Sequence, residues 1–189
     1  LLRIVAGSLK GRALAGPKTD AIRPTSERHR GALFDIIAHG LHFDLEGVRV
    51  LDLFSGTGAL GIEALSRGGR FCVFVEEGVE GRGLLRENTH ALGLQGRTKI
   101  FRRDASALGP VGTLEPFDLV LADPPYGKRL GEKALACALA GGWLKDGALA
   151  VLEEAKDATF ELPVGFRLLD ERVMGESAIR FLSPQKAGE

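Results

Sequence analysis

The stretch LDLFSGTGALGIEAL, residues 51–65, changes character at its middle. Leu51, Leu53 and Phe54 close an apolar run that begins at Val48, and from Ala59 onward apolar residues recur at helical spacing. Gly56 and Gly58 lie between the two patterns, so the segment reads as strand, glycine turn and helix, the opening of a βαβ unit. Working outward, VRVLDL (48–53), FCVFVE (71–76), TKIFRRD (98–104), FDLVLAD (117–123) and ALAVLEE (148–154) are short apolar runs, most of them separated by helical patterns. That alternation predicts an α/β fold with a mostly parallel, doubly wound sheet. The last two runs, RLLDERV (167–173) and AIRFLSP (178–184), are too close for a helical crossover and predict a closing antiparallel hairpin.

A chain of 189 residues, 44% of them hydrophobic, can bury a full core. Its apolar runs fall far short of the ~18–20 residues that span a bilayer, and no charged-then-apolar signal opens it, which points to a soluble cytoplasmic protein. Cys72 and Cys137 stand apart from each other and from any histidine pair. They suggest neither a zinc site nor a disulfide framework and read as core cysteines, and no metal is expected.

The net charge is zero, but it is unevenly spread. Residues 1–30 carry seven basic side chains, among them Arg3, Lys10, Arg12, Arg23 and Arg28, against the two acids Asp20 and Glu27. A basic arm on an acidic body suits a module that meets a polyanion. RIVAGSLKGRALAGP (3–17) alternates apolar and polar residues around glycines and predicts a short hairpin. A helix is expected after Pro24, capped by Thr25 or Ser26, with Leu33, Ile36, Ile37 and Leu41 on its apolar face.

Two chemistries fit the glycine turn. Gly56-Thr57-Gly58-Ala59-Leu60-Gly61 is a literal GxGxxG, and Glu76 closes the next strand, as in dinucleotide sites. An NAD-dependent oxidoreductase is therefore one alternative. Asp52, however, would repel a pyrophosphate and suits a cationic ligand. S-adenosylmethionine, with its sulfonium, ammonium and absent phosphate, matches that better. Asp52 would then accept from the ammonium, glycine backbone would approach the methionine portion, Glu76 would accept the ribose hydroxyls, and Asp104-Ala105 would read the adenine.

ADPPYG, residues 122–127, follows the fourth main strand. Pro124 and Pro125 lack backbone donors and fix φ, so Asp123-Pro124-Pro125-Tyr126 is a stiff turn rather than strand. A nucleobase amine is a weak nucleophile because its lone pair is delocalised. Accepting its N–H bonds at the Asp123 carboxylate and the Pro124 carbonyl would localise that pair, and Tyr126 offers a face for the base. No Ser/His/Asp or Cys/His arrangement competes with this reading.

RIVAGSLKGR, RPTSERHRGALFDII, VLDLFSGTGALGIEALSRG, FVE and ADPPYG together resemble the bacterial family that methylates the N2 of a guanine in small-subunit ribosomal RNA. The resemblance spans Arg3 to about Leu182. It implies a Rossmann-like class I methyltransferase with S-adenosylmethionine as cofactor and ribosomal RNA as partner, free or within a small ribosomal subunit. It places Asp52, Phe54, Ser55, Gly56, Gly58, Glu76, Asp104 and Ala105 in the cofactor site and Asp123, Pro124, Pro125 and Tyr126 in the catalytic one. Arg3, Lys10, Arg12, Arg23, Thr25 and Arg28 fall in elements that bind RNA or order the active site. The expected division is a hairpin and basic arm over 1–24, a methyltransferase domain over 25–183 and a tail over 184–189. DPPY-type turns also serve adenine N6 in DNA or RNA and protein glutamine, which stand as alternative acceptors. One departure is Glu77-Gly78, a more acidic and more flexible helix start than the family pattern leads one to expect.

Overall fold

The computed structural model describes residues 2–20, 22, 25–186 and 188. Arg23 lies outside the described residues.

The predicted strands form one seven-stranded sheet. In chain order they are β3 (Arg49–Leu53), β4 (Phe71–Val75), β5 (Thr98–Phe101), β6 (Phe117–Ala122), β7 (Leu144–Ala155), β8 (Phe166–Met174) and β9 (Ser177–Pro184). A separate two-residue ladder pairs β1 (Leu2–Arg3) with β2 (Ala13–Leu14), which is the expected N-terminal hairpin. The sheet order is β5-β4-β3-β6-β7-β9-β8; its first five strands are parallel, and β9 runs antiparallel between β7 and β8. The fold is thus the α/β class read from the sequence, closing hairpin included.

Helices cover both faces, and that explains why all five residues of β3 are buried, Asp52 among them. On one face α1 (Glu27–Asp35), α2 (Ala59–Ser66) and α3 (Val79–Ala91) contribute Leu33, Phe34, Ile62, Leu65 and Leu85, which pack on Val50, Phe74 and Leu119. On the other face α4 (Leu130–Ala140) packs Ala134, Leu135 and Ala138 against Leu51, Val120, Phe166 and Trp143. Trp143 stacks on Phe117 at 5.9 Å, and its indole N–H donates to the Gly109 carbonyl at 2.8 Å, so its one polar atom is satisfied. Ser26 caps α1, accepting from the His29 N–H at 3.1 Å, and the helix passes into a π-helical turn over Ile36–Gly40. Every residue of α2 is buried, because it lies between the sheet and the N-terminal segment.

That segment is fastened to the body. The Ser8 N–H donates to the Ser66 carbonyl at 2.7 Å, and a Cβ on Gly7 would fall 1.9 Å from the same oxygen, so only glycine fits there. Glu63 of α2, wholly buried, accepts from the backbone of Val5 (2.9 Å) and Ala6 (3.1 Å), from Arg30 Nε (3.0 Å) and from Arg67 Nε (2.9 Å). Arg30, counted in the basic arm by sequence, is therefore an internal tie; it also donates to the carbonyls of Thr25 and Arg3. Removing one partner of such a buried pair costs about 3–5 kcal/mol.

Among the described residues no helix is long and apolar enough to cross a membrane, and no group of acids, histidines and cysteines could hold a metal ion. Cys72 is buried as expected, whereas Cys137 is only partly so, its Sγ donating to the Ser106 carbonyl at 3.0 Å.

Candidate active site

Four parallel strands end level with one another. Leu53 pairs with Val75 and with Ala122, and Val75 pairs with Phe101. The residues that follow, Phe54, Glu76, Arg102 and Asp123, therefore emerge along one edge of the sheet. The strand order reverses between β3 and β6, and a crevice opens at such a switch point. The cleft found there measures about 640 Å³ and brings together Asp52, Phe54, Gly56, Glu76, Asp104 and Asp123, with Thr25 and Tyr126 also on its wall.

The glycine-loop half is built on backbone. Gly56 and Gly58 have φ of 56° and 83°, and Phe54 joins them at 56°, a conformation that strains a residue with a Cβ. This turn sends the Gly56 N–H to Glu76 Oε2 at 2.8 Å, while Glu76 Oε1 accepts from the Gly78 N–H at 3.0 Å. Each oxygen keeps a further lone-pair direction for a ligand hydroxyl. A Cβ on Gly81 would lie 2.7 Å from Glu76 Cγ, so the glycines after Glu76 give its side chain the space it occupies. The flexible helix start noted in the sequence thus has a local purpose. Ser55 closes the loop from below: its Oγ donates to the Asp52 carbonyl at 2.5 Å, with the Val75 carbonyl 3.2 Å away.

Asp52 is 2% exposed and accepts from the Gly61 N–H at 3.0 Å. Burial pushes its carboxyl well above the ordinary range; the Gly61 hydrogen bond opposes this, and the charges of Asp123 and Glu76 add to it. A Cβ on Gly61 would meet Phe74, Cys72 and Asp52 within 2.9 Å, so the third glycine of the motif serves close helix–strand packing. Asp104 caps the short turn Ala105–Ala107; its Oδ1 accepts from the Ser106 N–H at 2.9 Å and Oγ at 2.7 Å, which hold its pKa below the ordinary value. Ala105 is buried behind it.

The other half is the turn after β6. Asp123 Oδ2 accepts from Thr25 Oγ1 at 3.3 Å, Pro124 is buried and Pro125 is exposed. The Tyr126 hydroxyl donates to Glu153 Oε1 at 3.0 Å and stands 3.0 Å from Ser177 Oγ. The Gly127 N–H donates to Glu154 Oε1 at 3.0 Å, so consecutive carboxylates at the end of β7 grip consecutive residues of the turn. His29 Nε2 lies 3.0 Å from Glu153 Oε1. Sequence reasoning passed over Glu153, Glu154, His29 and Ser177. The doubled acid of ALAVLEE, buried at the end of a strand next to that of ADPPYG, was the one signal available.

The basic positions are dispersed. Lys10, Arg12 and Arg28 are exposed; Arg12 also donates to the Ala91 carbonyl at 3.1 Å. Arg3 pairs with Glu27 at 3.3 Å on the surface, and Thr25 is turned into the cleft.

The cleft therefore joins an acid-lined glycine turn to an Asp-Pro-Pro-Tyr turn across one switch point. The family model described as Conserved hypothetical protein 95 matches residues 2–183. The chain belongs to this family. Ribosomal RNA small subunit methyltransferase D of Escherichia coli is 33% identical over 100% of this chain and 92% of its own length. A solved Escherichia coli structure assigned as a methyltransferase superposes with a TM-score of 0.81 at 30% identity, covering 97% of this chain and 98% of that one. The tRNA (guanine(6)-N2)-methyltransferase of Thermus thermophilus is 33% identical over 83% of this chain and 52% of its own. With these family relatives and this fold, the protein is a class I methyltransferase. The dinucleotide alternative raised by GxGxxG falls away.

Proposed function

We propose that this enzyme transfers a methyl group from S-adenosylmethionine to the exocyclic N2 amine of a guanine in small-subunit ribosomal RNA, in the cytoplasm. The observation that carries the reading is the seating of Asp123 and Tyr126 on the same sheet edge as Glu76 and the glycine loop. The cofactor fits the donor set: acids and open backbone surround the loop, which favours a cation bearing hydroxyls over a pyrophosphate. When bound, S-adenosylmethionine supplies an electrophilic methyl group.

The chain's own residues then have distinct tasks. Glu76 accepts the ribose hydroxyls, Asp52 answers the ammonium, and Asp104 with the Ala105 backbone holds the adenine. Across the cleft, Asp123 and the Pro124 carbonyl accept the amine hydrogens of the base, raising electron density at nitrogen, and Asp123 takes up the released proton. Tyr126 carries the base on its ring, a contact worth about 1–3 kcal/mol for base stacking. Catalysis is positioning and electrostatics with no covalent enzyme intermediate.

Support for guanine comes from a relative whose name specifies guanine N2, and support for ribosomal RNA from the full-length relative named for it. In this reading residues 1–24 form an RNA-binding extension whose Arg3, Lys10, Arg12 and Arg23, together with Arg28 of α1, meet phosphates, with Thr25 ordering the catalytic turn. Residues 25–183 are the methyltransferase domain and 184–189 a tail. The test is transfer of labelled methyl groups to naked ribosomal RNA, small-subunit particles, DNA and protein, followed by nucleoside mass analysis. N2-methylguanosine from a ribosomal RNA substrate is expected. Label in N6-methyladenosine or methylglutamine overturns the acceptor assignment.

A further inference from the structure

The catalytic turn is held from behind by side chains that the transfer itself does not use. Glu153 of β7 is 5% exposed, and its Oε1 accepts the Tyr126 hydroxyl while facing His29 Nε2 of α1, each at 3.0 Å. Ser177 of β9 completes the group at 3.0 Å from the same hydroxyl. Glu153 and Ser177, remote in sequence, thus converge on one phenol, with His29 against the carboxylate.

Stacking a base needs only a ring, and phenylalanine would supply one without any buried charge. Burial works against Glu153 as an anion, but its contacts with His29, Ser177 and Tyr126 outweigh it and leave the carboxyl below its ordinary value. Its second oxygen is buried without a hydrogen-bond partner among the described residues. An arrangement serving stability alone would do as well with apolar side chains. What the carboxylate provides is direction, because an acceptor at a fixed point in the sheet sets both the swing and the tilt of the Tyr126 ring.

We propose that Glu153, backed by His29, is the positioning residue that aims the Tyr126 ring at the incoming base and thereby links the first turn of α1 to the catalytic turn. The inference rests on the base-stacking role given to Tyr126 above. Asp123, at the other end of the turn, is held from the same region by Thr25, so both of its functional side chains depend on residues 25–29.

Tyr126 is the only tyrosine, so tyrosine labelled at Cζ alone gives a single NMR resonance. Glu153→Gln and His29→Gln are expected to move that resonance while cofactor affinity stays at the parental value; an unmoved resonance overturns the proposal. Kinetics supply the second arm. Glu153→Gln and Tyr126→Phe should each lower kcat/KM for RNA about tenfold, and the double variant about tenfold rather than about a hundredfold, since residues acting through one contact are not additive. Multiplicative losses, or a parental kcat/KM in either single variant, overturn it. If Glu153→Gln melts far below the parent, His29→Gln, which leaves the carboxylate in place, enters the same cycle with Tyr126→Phe. The cycle is run on whichever RNA the parent methylates, so an adenine product would overturn the guanine assignment alone.

Discussion

The two halves of the cleft are made in different ways. In the glycine-loop half the partners are near neighbours or end adjacent strands: Asp52 takes the Gly61 N–H nine residues on, and Glu76 takes the Gly56 N–H across β3 and β4. In the Asp-Pro-Pro-Tyr half they are distant: Thr25 reaches Asp123 across 98 positions, and Ser177 meets Tyr126 across 51. In the first half backbone N–H groups fix the acids that line the cleft; in the second, side chains fix the turn. Under the proposed function, binding of the donor and activation of the acceptor fall to separate machinery, and substitutions should separate them.

The largest effect is expected at Asp123. Asp123→Ala removes the acceptor that strengthens as positive charge develops on the amine, and the single-turnover rate should fall roughly 10²–10⁴-fold with cofactor affinity nearly kept. Glu76→Ala should do the converse. It takes a charged acceptor from two ligand hydroxyls and from the Gly56 N–H, a loss of about 1.5–3 kcal/mol measured by calorimetric titration of S-adenosylmethionine. An Asp123→Ala variant that loses cofactor binding in step with turnover would erase the division of labour.

The arm should affect neither half directly. Replacing Lys10 and Arg12 of the arm and Arg28 of α1 with alanine should flatten the salt dependence of RNA binding by roughly 0.7–0.9 in log–log slope for each phosphate no longer neutralised. A salt titration identical to that of the parent would make these residues a solvated surface.

The smallest effect concerns stability. Burial raises the Asp52 pKa, so its contribution to folding is full below the unfolded value of about 4 and is lost as pH rises through the folded one. Asp52→Asn keeps an acceptor for Gly61 without that ionisation. The variant should melt at or above the parent, by a margin that widens as pH rises from about 4 toward neutrality, while binding cofactor more weakly. A margin constant across thermal melts would show that Asp52 does not carry this linkage.

The same contrast explains what could be read beforehand. Strand runs, the closing hairpin and the glycine turn are written in adjacent residues, and period and turn chemistry expose them. Glu76 and Asp123 were legible because level strand ends bring the residues that follow them to one edge, with Asp52 one residue inside the end of β3, a rule of topology rather than of detail. Glu153, Ser177 and His29 were not. Each lies in a segment that reads adequately as strand or helix, and their meeting at Tyr126 follows from how β7, β9 and α1 pack. Arg30 shows the opposite failure: by composition it belonged to a polyanion-binding arm, yet Glu63 buries it. Charge counts do not separate a phosphate contact from an internal tie.

The central claim is that one half of the cleft holds the donor and the other acts on the acceptor. Single-turnover methylation of ribosomal RNA by Glu76→Ala and Asp123→Ala, each followed across rising S-adenosylmethionine concentration, tests it most directly. Glu76→Ala should recover most of the parental rate as the cofactor saturates, whereas Asp123→Ala should remain slow at every concentration. A folded Asp123→Ala enzyme that reaches the parental rate, with or without excess cofactor, would contradict the account.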